Sequence, residues 1–171
     1  METTTVQEKK NPMLAEPQKE HEWLQRLVGD WTFEMEAKMG LEQPAEKARG
    51  TERVRSLGGL WILGEGEGDM PGGGRATTVL TLGYDPAAGH FVGTWIGSMM
   101  THLWVYRGEL DRAGKILTLD SQGPDMKGGK KLANYRDVIE LISDDHRTLT
   151  GNVQDEDGNW SEMMVVHYRR K

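Results

Sequence analysis

The chain contains no cysteine among its 171 residues. This absence excludes disulfide bridges, thiol catalysis and cysteine-ligated zinc. A leading apolar run is missing as well, because residues 1–10 carry acidic and hydroxyl side chains where a secretion signal needs an apolar stretch. We therefore expect no signal peptide and no membrane span, and we expect a cytoplasmic location.

The sequence has fewer basic than acidic residues. The 21 lysines and arginines are outnumbered by 27 aspartates and glutamates, which gives a formal net charge of −6. A surface of this sign repels phosphate backbones, so no nucleic-acid partner is expected. The length predicts one domain that is large enough to bury a core.

Motifs for metal binding and catalysis are missing too. No two of the five histidines are three to five residues apart, so the spacing predicts no zinc site. The glycine-rich segment Gly64–Gly68 contains two glutamates that would repel phosphate. Ser98 lacks the Gly-x-Ser-x-Gly setting of a nucleophile elbow. We expect no catalytic residues, no metal and no cofactor, and we do not predict an enzyme.

Polar, turn-forming clusters recur at short and even spacing. They are Tyr84–Gly89, Leu110–Lys115, Ser143–His146 and Asp155–Asn159. Asp and Asn side chains bond to nearby backbone in tight loops, and Gly supplies the positive φ that such loops need. Each cluster lies between two apolar runs, so each is predicted to be a hairpin loop.

The segments between the loops have the pattern of strands. From Trp31 to Met39, apolar residues alternate with polar ones at period two, which predicts one buried face and one wet face. Further strands are predicted at 49–57, 60–67, 77–84, 90–99, 102–110, 115–121, 131–142, 147–153 and 160–169.

A domain organisation follows from these segments. Residues 1–18 are polar, contain Pro12 and Pro17, and are predicted to be a disordered tail. An amphipathic helix is predicted over Glu20–Val28. Residues 19–171 are predicted to form a single all-β domain, a closed antiparallel up-and-down barrel of about ten strands with a short N-terminal helix. Closure removes exposed strand edges, and about ten strands should leave an internal cavity.

Several segments carry a family resemblance. They are Leu27–Trp31, Leu57–Trp61, Leu82–Asp85, Gly93–Met99, Gly108–Lys115 and Tyr168–Lys171. In this order they resemble the signature of the bacterial domain-of-unknown-function 1579 family. The resemblance implies a lipocalin-like, calycin-type barrel, and it implies no activity or catalytic residues.

Large aromatic side chains on the predicted strands are candidates for a cavity wall. A buried ring fills a core well, but aromatic side chains also line sites for small apolar ligands. The candidates that share strand faces, together with one further tryptophan, are Phe91, Trp95, Met99, Trp104, Tyr106 and Trp61. They predict a small hydrophobic ligand as the partner.

Charged residues on apolar strand faces are candidates for the polar end of such a site. Glu65 follows Trp61 and Leu63 on one face, and Arg136 shares its face with Leu132 and Val138. A buried charge must be paired or used, so Glu65 and Arg136 are candidate ligand contacts. A structural ion pair is the favoured explanation, and ligand recognition is the alternative.

Two other functions stay open. One is a protein-interaction or scaffolding module with a filled core, for which a homodimer is the partner considered. The other is haem binding of the nitrobindin type through His167. Parity argues against haem, because His167 shares a face with Ser161 and Arg169 and not with the more apolar residues of its strand.

Overall fold

A computed structural model of the protein describes residues 11–38 and 40–171. In this part of the chain, one short helix is followed by ten strands. The elements are α1 Lys19–Gln25, β1 Gly29–Ala37, β2 Glu46–Leu57, β3 Trp61–Asp69, β4 Arg75–Asp85, β5 His90–Gly97, β6 Trp104–Leu110, β7 Ile116–Pro124, β8 Leu132–Ser143, β9 His146–Gln154 and β10 Trp160–Arg170.

The strands form a closed barrel of up-and-down topology. Each strand pairs antiparallel with the next one in the sequence, and β10 returns to pair with β1, where Phe33 lies opposite Tyr168. Closure leaves no unpaired edge that could pair with another chain. The predicted fold class is confirmed.

Aspartate side chains organise the hairpin loops. In the β6–β7 loop, Asp111 Oδ1 accepts hydrogen bonds from the amides of Lys115 and Ile116, at 2.8 and 2.9 Å. Gly114 in the same loop has a φ of 67°, which residues with a side chain rarely adopt. The β9–β10 loop repeats this arrangement around Asp155.

Most predicted boundaries shift by one to three residues, and two of these shifts have a clear cause. Strand β5 ends at Gly97 and does not reach Met99, because Ser98 closes the pairing through hydrogen bonds to Thr77 and the chain then turns away. Helix α1 ends at Gln25 and not at Val28, because the next residues form tighter bonds to the carbonyl three residues back.

Other predictions lie partly outside the described residues. Met39, predicted as the last residue of the first strand, is one of these. The predicted tail is described only from residue 11, and residues 11–18 are exposed. The boundary between tail and domain stays a prediction.

Helix α1 closes one end of the barrel. Trp23 Nε1 donates to the Gly114 carbonyl at 2.8 Å, and His21 Nε2 bonds to the Tyr84 carbonyl at 3.0 Å. The barrel interior under the helix is densely filled. Buried side chains there include Leu24, Leu27, Trp31, Ile62, Leu82, Phe91, Leu117 and Ile139. We call this part the packed half and the opposite part the open half.

Among the described residues, no helix is long and apolar enough to cross a membrane.

Candidate functional site

Burial alternates along the strands and identifies which side chains point inward. On β3, Ile62, Gly64, Gly66 and Gly68 are buried, while the residues between them are exposed or half-buried. Strand β1 shows the same period, with its polar residues exposed. The inner surface of β3 beyond Ile62 therefore carries no side chains, only glycine backbone.

Inward-facing apolar side chains in the open half remain partly exposed. They are Phe33, Met35, Trp95, Leu149 and Met164, all of which pack against the core on one side. Other inward-facing side chains of this half, such as Tyr106, Tyr135 and Val153, are buried. The open half is therefore less completely buried than the packed half at these five positions.

Glycines on β2 and β3 admit the large ring of a neighbour. A Cβ placed on Gly50 or Gly68 would lie 2.5 or 2.8 Å from Phe33 Cζ, so the ring occupies the space that a side chain would take. At Gly64, in contrast, an added Cβ would make only ordinary contacts, 3.4 Å from Glu52 Cδ and 3.5 Å from Leu80 Cβ. A methyl group at Gly64 would therefore fit beside Glu52 without a clash.

A buried ion pair lies inside the barrel. Arg147 on β9 donates through Nη2 to Glu52 Oε1 on β2, and both side chains are almost fully buried. The guanidinium lies 3.8 Å from the centre of the Tyr168 ring and 4.8 Å from that of Trp31. The pair cancels its own charge, and within the described residues Arg147 Nε has no hydrogen-bond partner.

A second polar pair lies between β6 and β8. The Tyr106 hydroxyl donates to Asp137 Oδ2 at 2.6 Å. Burial raises the pKa of Asp137 to about 6, although the bond from Tyr106 opposes this rise. Burial and the neighbouring Asp137 charge raise the pKa of Tyr106. Asp137 points into the barrel and is half-buried, so part of its surface stays accessible.

Three of the predicted cavity residues face the open half. Trp95 and Trp104 lie directly opposite each other on β5 and β6, and Tyr106 follows on the same face as Trp104. Trp104 covers Gly123, where an added Cβ would lie 2.2 Å from the ring. Phe91 also points inward, but it is 2% exposed and belongs to the packed half.

The other four predicted residues lie elsewhere. Trp61 and Glu65 are on the outer face of β3, where the Trp61 ring packs over Gly83. Arg136 is on the outer face of β8; its Nε donates to Asp120 Oδ1 at 2.7 Å and its guanidinium lies 4.4 Å from the centre of the Trp160 ring. Met99 lies in the β5–β6 loop. The outer positions on β3 and β8 follow from strand alternation. The neighbours of Glu65 that face inward are glycines, and the neighbour of Arg136 that faces inward is Asp137.

His167 lies on the outer face of β10. Its Nδ1 is 3.0 Å from Nε2 of His146, and the two rings are stacked. Within the described residues, no group of three or more histidines and acids lies close enough together to hold a metal ion.

The interior charges Glu52, Asp137 and Arg147 were not predicted as site residues. A sequence signal for Asp137 exists, because it is the one charged residue on the face that holds Tyr135, Ile139 and Leu141. The candidate predicted on this strand, Arg136, lies on the opposite face.

Comparison with known proteins identifies the family. Residues 16–170 match the family described as "Protein of unknown function (DUF1579)". The chain belongs to this family. No curated protein matches the chain.

Several solved structures are similar to the barrel. One is a de novo designed fluorescence-activating β-barrel, which has 13% sequence identity and a TM-score of 0.47; the match covers 86% of this chain and 96% of that one. Another is EF1p2_mFAP2b bound to DFHBI, with 12% identity and a TM-score of 0.48, covering 90% of this chain and 100% of that one.

Proposed function

We propose that this member of the DUF1579 family binds a small, largely apolar ligand inside its barrel. The observation that carries the proposal is the partial exposure of inward-facing apolar side chains in the open half, namely Phe33, Met35, Trp95 and Leu149. Ligand sites are typically concave, lined by apolar and aromatic side chains, and equipped with a few polar groups. A lipocalin-like role as a carrier or sensor agrees with this arrangement.

The two halves of the barrel suggest how a ligand enters and lies. Helix α1 covers the packed half, so the route runs through the opposite end of the barrel, where the loops after β3, β5, β7 and β9 lie. The aromatic walls at Trp95 and Trp104 would contact the body of the ligand. Polar groups deeper inside, Asp137 and the buried hydroxyl of Ser121, would contact its polar end; Ser121 Oγ has no hydrogen-bond partner among the described residues.

We propose that the protein binds its ligand without catalysing a reaction. Inside the barrel, the carboxyl group of Asp137 has Tyr106 as its hydrogen-bond partner. The Arg147 cation is paired with Glu52. No nucleophile motif accompanies them in the sequence. We infer that the protein is not an enzyme.

A titration with a neutral apolar probe tests the proposal. N-phenyl-1-naphthylamine should quench tryptophan emission in a saturable way and raise the melting temperature. At a hundredfold excess over Kd, the expected stabilisation is about 2.7 kcal/mol. Absence of both effects, for this probe and for a set of apolar compounds of similar size, would contradict ligand binding.

Matched tryptophan variants localise the probe. Trp95→Ala, on the inner face, should raise Kd by roughly tenfold, because the probe loses an aromatic wall. Trp61→Ala is the control, since it removes an equally large and partly exposed ring from the outer face. Equal effects of the two variants would place the probe outside the barrel.

Association of two copies is the second candidate function. An outer groove is lined by Leu103, Val105, Leu132 and Trp160, and Val105 is 59% exposed and Leu132 61%. Exposed apolar patches of this kind are typical of interaction surfaces. Sedimentation equilibrium should then give a dimer mass that Val105→Glu reduces to the monomer mass. If the protein stays a monomer at all concentrations up to about 100 μM, the Kd of any dimer is above that value, and this result would count against the homodimer.

A further inference from the structure

The interior of the barrel carries an uncompensated negative charge. Three charged side chains of the strands face inward between the packed half and the mouth: Glu52, Asp137 and Arg147. Arg147 is bound to Glu52, so these two cancel. Arg170, at the end covered by α1, donates to the carbonyls of Val28 and Arg26 and lies over Trp31. Asp137 is left without a cation.

The surroundings of Asp137 leave one carboxylate oxygen available. Oδ2 accepts the bond from Tyr106, whereas Oδ1 has no hydrogen-bond partner within the described residues. The residue opposite on β9 is Gly151, and a Cβ placed there would lie 3.5 Å from Oδ1. The same Cβ would lie 2.9 Å from Met164 Cγ and 3.0 Å from its Cε, so the Met164 side chain occupies the space in front of Gly151 and supplies no hydrogen-bond donor to Oδ1.

Aromatic rings near the open half add to the preference for positive charge. A cation is attracted to the faces of Trp, Tyr and Phe rings. Trp95 and Trp104 lie on the inner face above Tyr106, between Asp137 and the mouth. The net charge of −6 adds a weak general attraction for cations.

We propose that the barrel selects a lipophilic amine, a ligand whose ammonium group bonds to Asp137 and whose apolar body lies between Trp95 and Trp104. This inference rests on the proposed function and names the ligand class of the same site. A carboxylate ligand is disfavoured, because Arg147 is already paired with Glu52 and Asp137 would repel the added charge.

The ionised form of Asp137 is the binding form. Tyr106 from β6 donates to Asp137, and Tyr168 from β10 interacts with it electrostatically; Tyr168 interacts in the same way with the Glu52–Arg147 pair from β2 and β9. Burial raises the pKa of Asp137 to about 6, so its charge is lost on acidification while an alkyl ammonium stays protonated. Affinity for the amine should therefore fall as the pH drops from 8 to 5.

Three dansyl probes with the same C5 chain length test the proposal. The chain ends in an ammonium, a methyl group or a carboxylate, and each probe is titrated against the full protein at pH 7.5. We expect the ammonium probe to bind about tenfold or more tightly than the methyl probe, and the carboxylate probe to bind most weakly.

Variants connect this preference to Asp137. Asp137→Asn keeps the shape and should weaken the ammonium probe about tenfold while the methyl probe changes less than about twofold. Tyr106→Phe keeps the carboxylate and should retain the preference for ammonium when the probes are titrated at pH 9, where Asp137 is ionised despite its higher pKa. Circular dichroism confirms that both variants are folded.

The outcomes separate the two proposals. Equal affinity for the ammonium and methyl probes, or equal weakening of both by Asp137→Asn, overturns the amine inference and leaves ligand binding intact. Failure of all three probes to bind overturns both.

Discussion

Tyr106 and Asp137, 31 residues apart in sequence, are joined inside the barrel by a hydrogen bond of 2.6 Å from the phenol to the carboxylate. Burial raises the pKa of Asp137 to about 6, from an ordinary value of 3.8. A carboxyl group whose pKa rises on folding stabilises the protein below about pH 4, and this contribution is lost as the pH rises through 6. A charge that destabilises the fold at neutral pH fits a role in binding.

Asp137→Asn should stabilise the protein at pH 7.5. Removing the buried charge should increase the free energy of unfolding by roughly 1–3 kcal/mol, a range that allows for the partial exposure of the residue. Urea denaturation between pH 4 and 8 measures the effect. As the pH rises from 4 to 8, the free energy of unfolding of wild type should fall relative to that of the variant. Parallel plots of this free energy against pH would contradict the raised pKa.

Tyr106→Phe should raise the pKa of Asp137 above about 6. The hydrogen bond from Tyr106 favours the ionised carboxylate, so its loss leaves burial unopposed. Carbon-detected NMR titration of the Asp137 carboxyl group measures the change. Tyr135→Phe is the control, because its hydroxyl donates to the Pro124 carbonyl instead. An unchanged or lowered pKa in Tyr106→Phe would be the contrary result.

Glu52→Ala should be strongly destabilising. It leaves the Arg147 charge buried without its partner, which typically costs about 3–5 kcal/mol. Replacing both residues, with Glu52→Leu and Arg147→Met, should recover most of this loss because neither charge remains. Glu65→Ala on the exposed outer face should stay within about 0.5 kcal/mol of wild type. Thermal and urea unfolding of these three variants and of wild type test the order.

Trp23→Ala should weaken the cap that α1 forms. Trp23 is 6% exposed, packs edge-on against Phe91 and donates to the Gly114 carbonyl. Its removal should cost about 3–5 kcal/mol. Trp23→Phe, which keeps most of the ring and loses the bond, should cost about 1 kcal/mol. If Trp23→Ala unfolds at the same urea concentration as the exposed control Glu22→Ala, the helix does not stabilise the barrel.

Asp111→Ala should lower the melting temperature at pH 7, because the β6–β7 loop loses the carboxylate that accepts hydrogen bonds from its backbone amides. Backbone amides of Ile116 and Lys115 hold the pKa of Asp111 below its usual value. This sign is opposite to that of Asp137: the contribution is present above about pH 4 and is lost on further acidification. Calorimetry at pH 7 and pH 2.5 should show a larger difference from wild type at the higher pH. An equal difference at both would mean that the loop does not depend on the ionised carboxylate.

The local pattern determined the elements of this protein. Period-two alternation and evenly spaced Asp and Gly clusters specify strands and tight loops through interactions between residues close in sequence. The helix before Trp31 and the strands after it were therefore predictable, and so was closure, because a long meander without covering helices exposes two edges.

Tertiary structure decided which face of each strand points inward and which distant residues meet there. On β3, the apolar character of Trp61 suggested an inner position, but the ring of Phe33 and the side chain of Glu52 occupy the interior next to Gly64 and Gly68. At Gly68 a side chain would collide with the Phe33 ring, whereas at Gly64 an added Cβ would make ordinary contacts with Glu52 and Leu80. Glu52 and Arg147 are separated by 95 residues. Only the register of the closed sheet brings their charges together and leaves Asp137 without a cation.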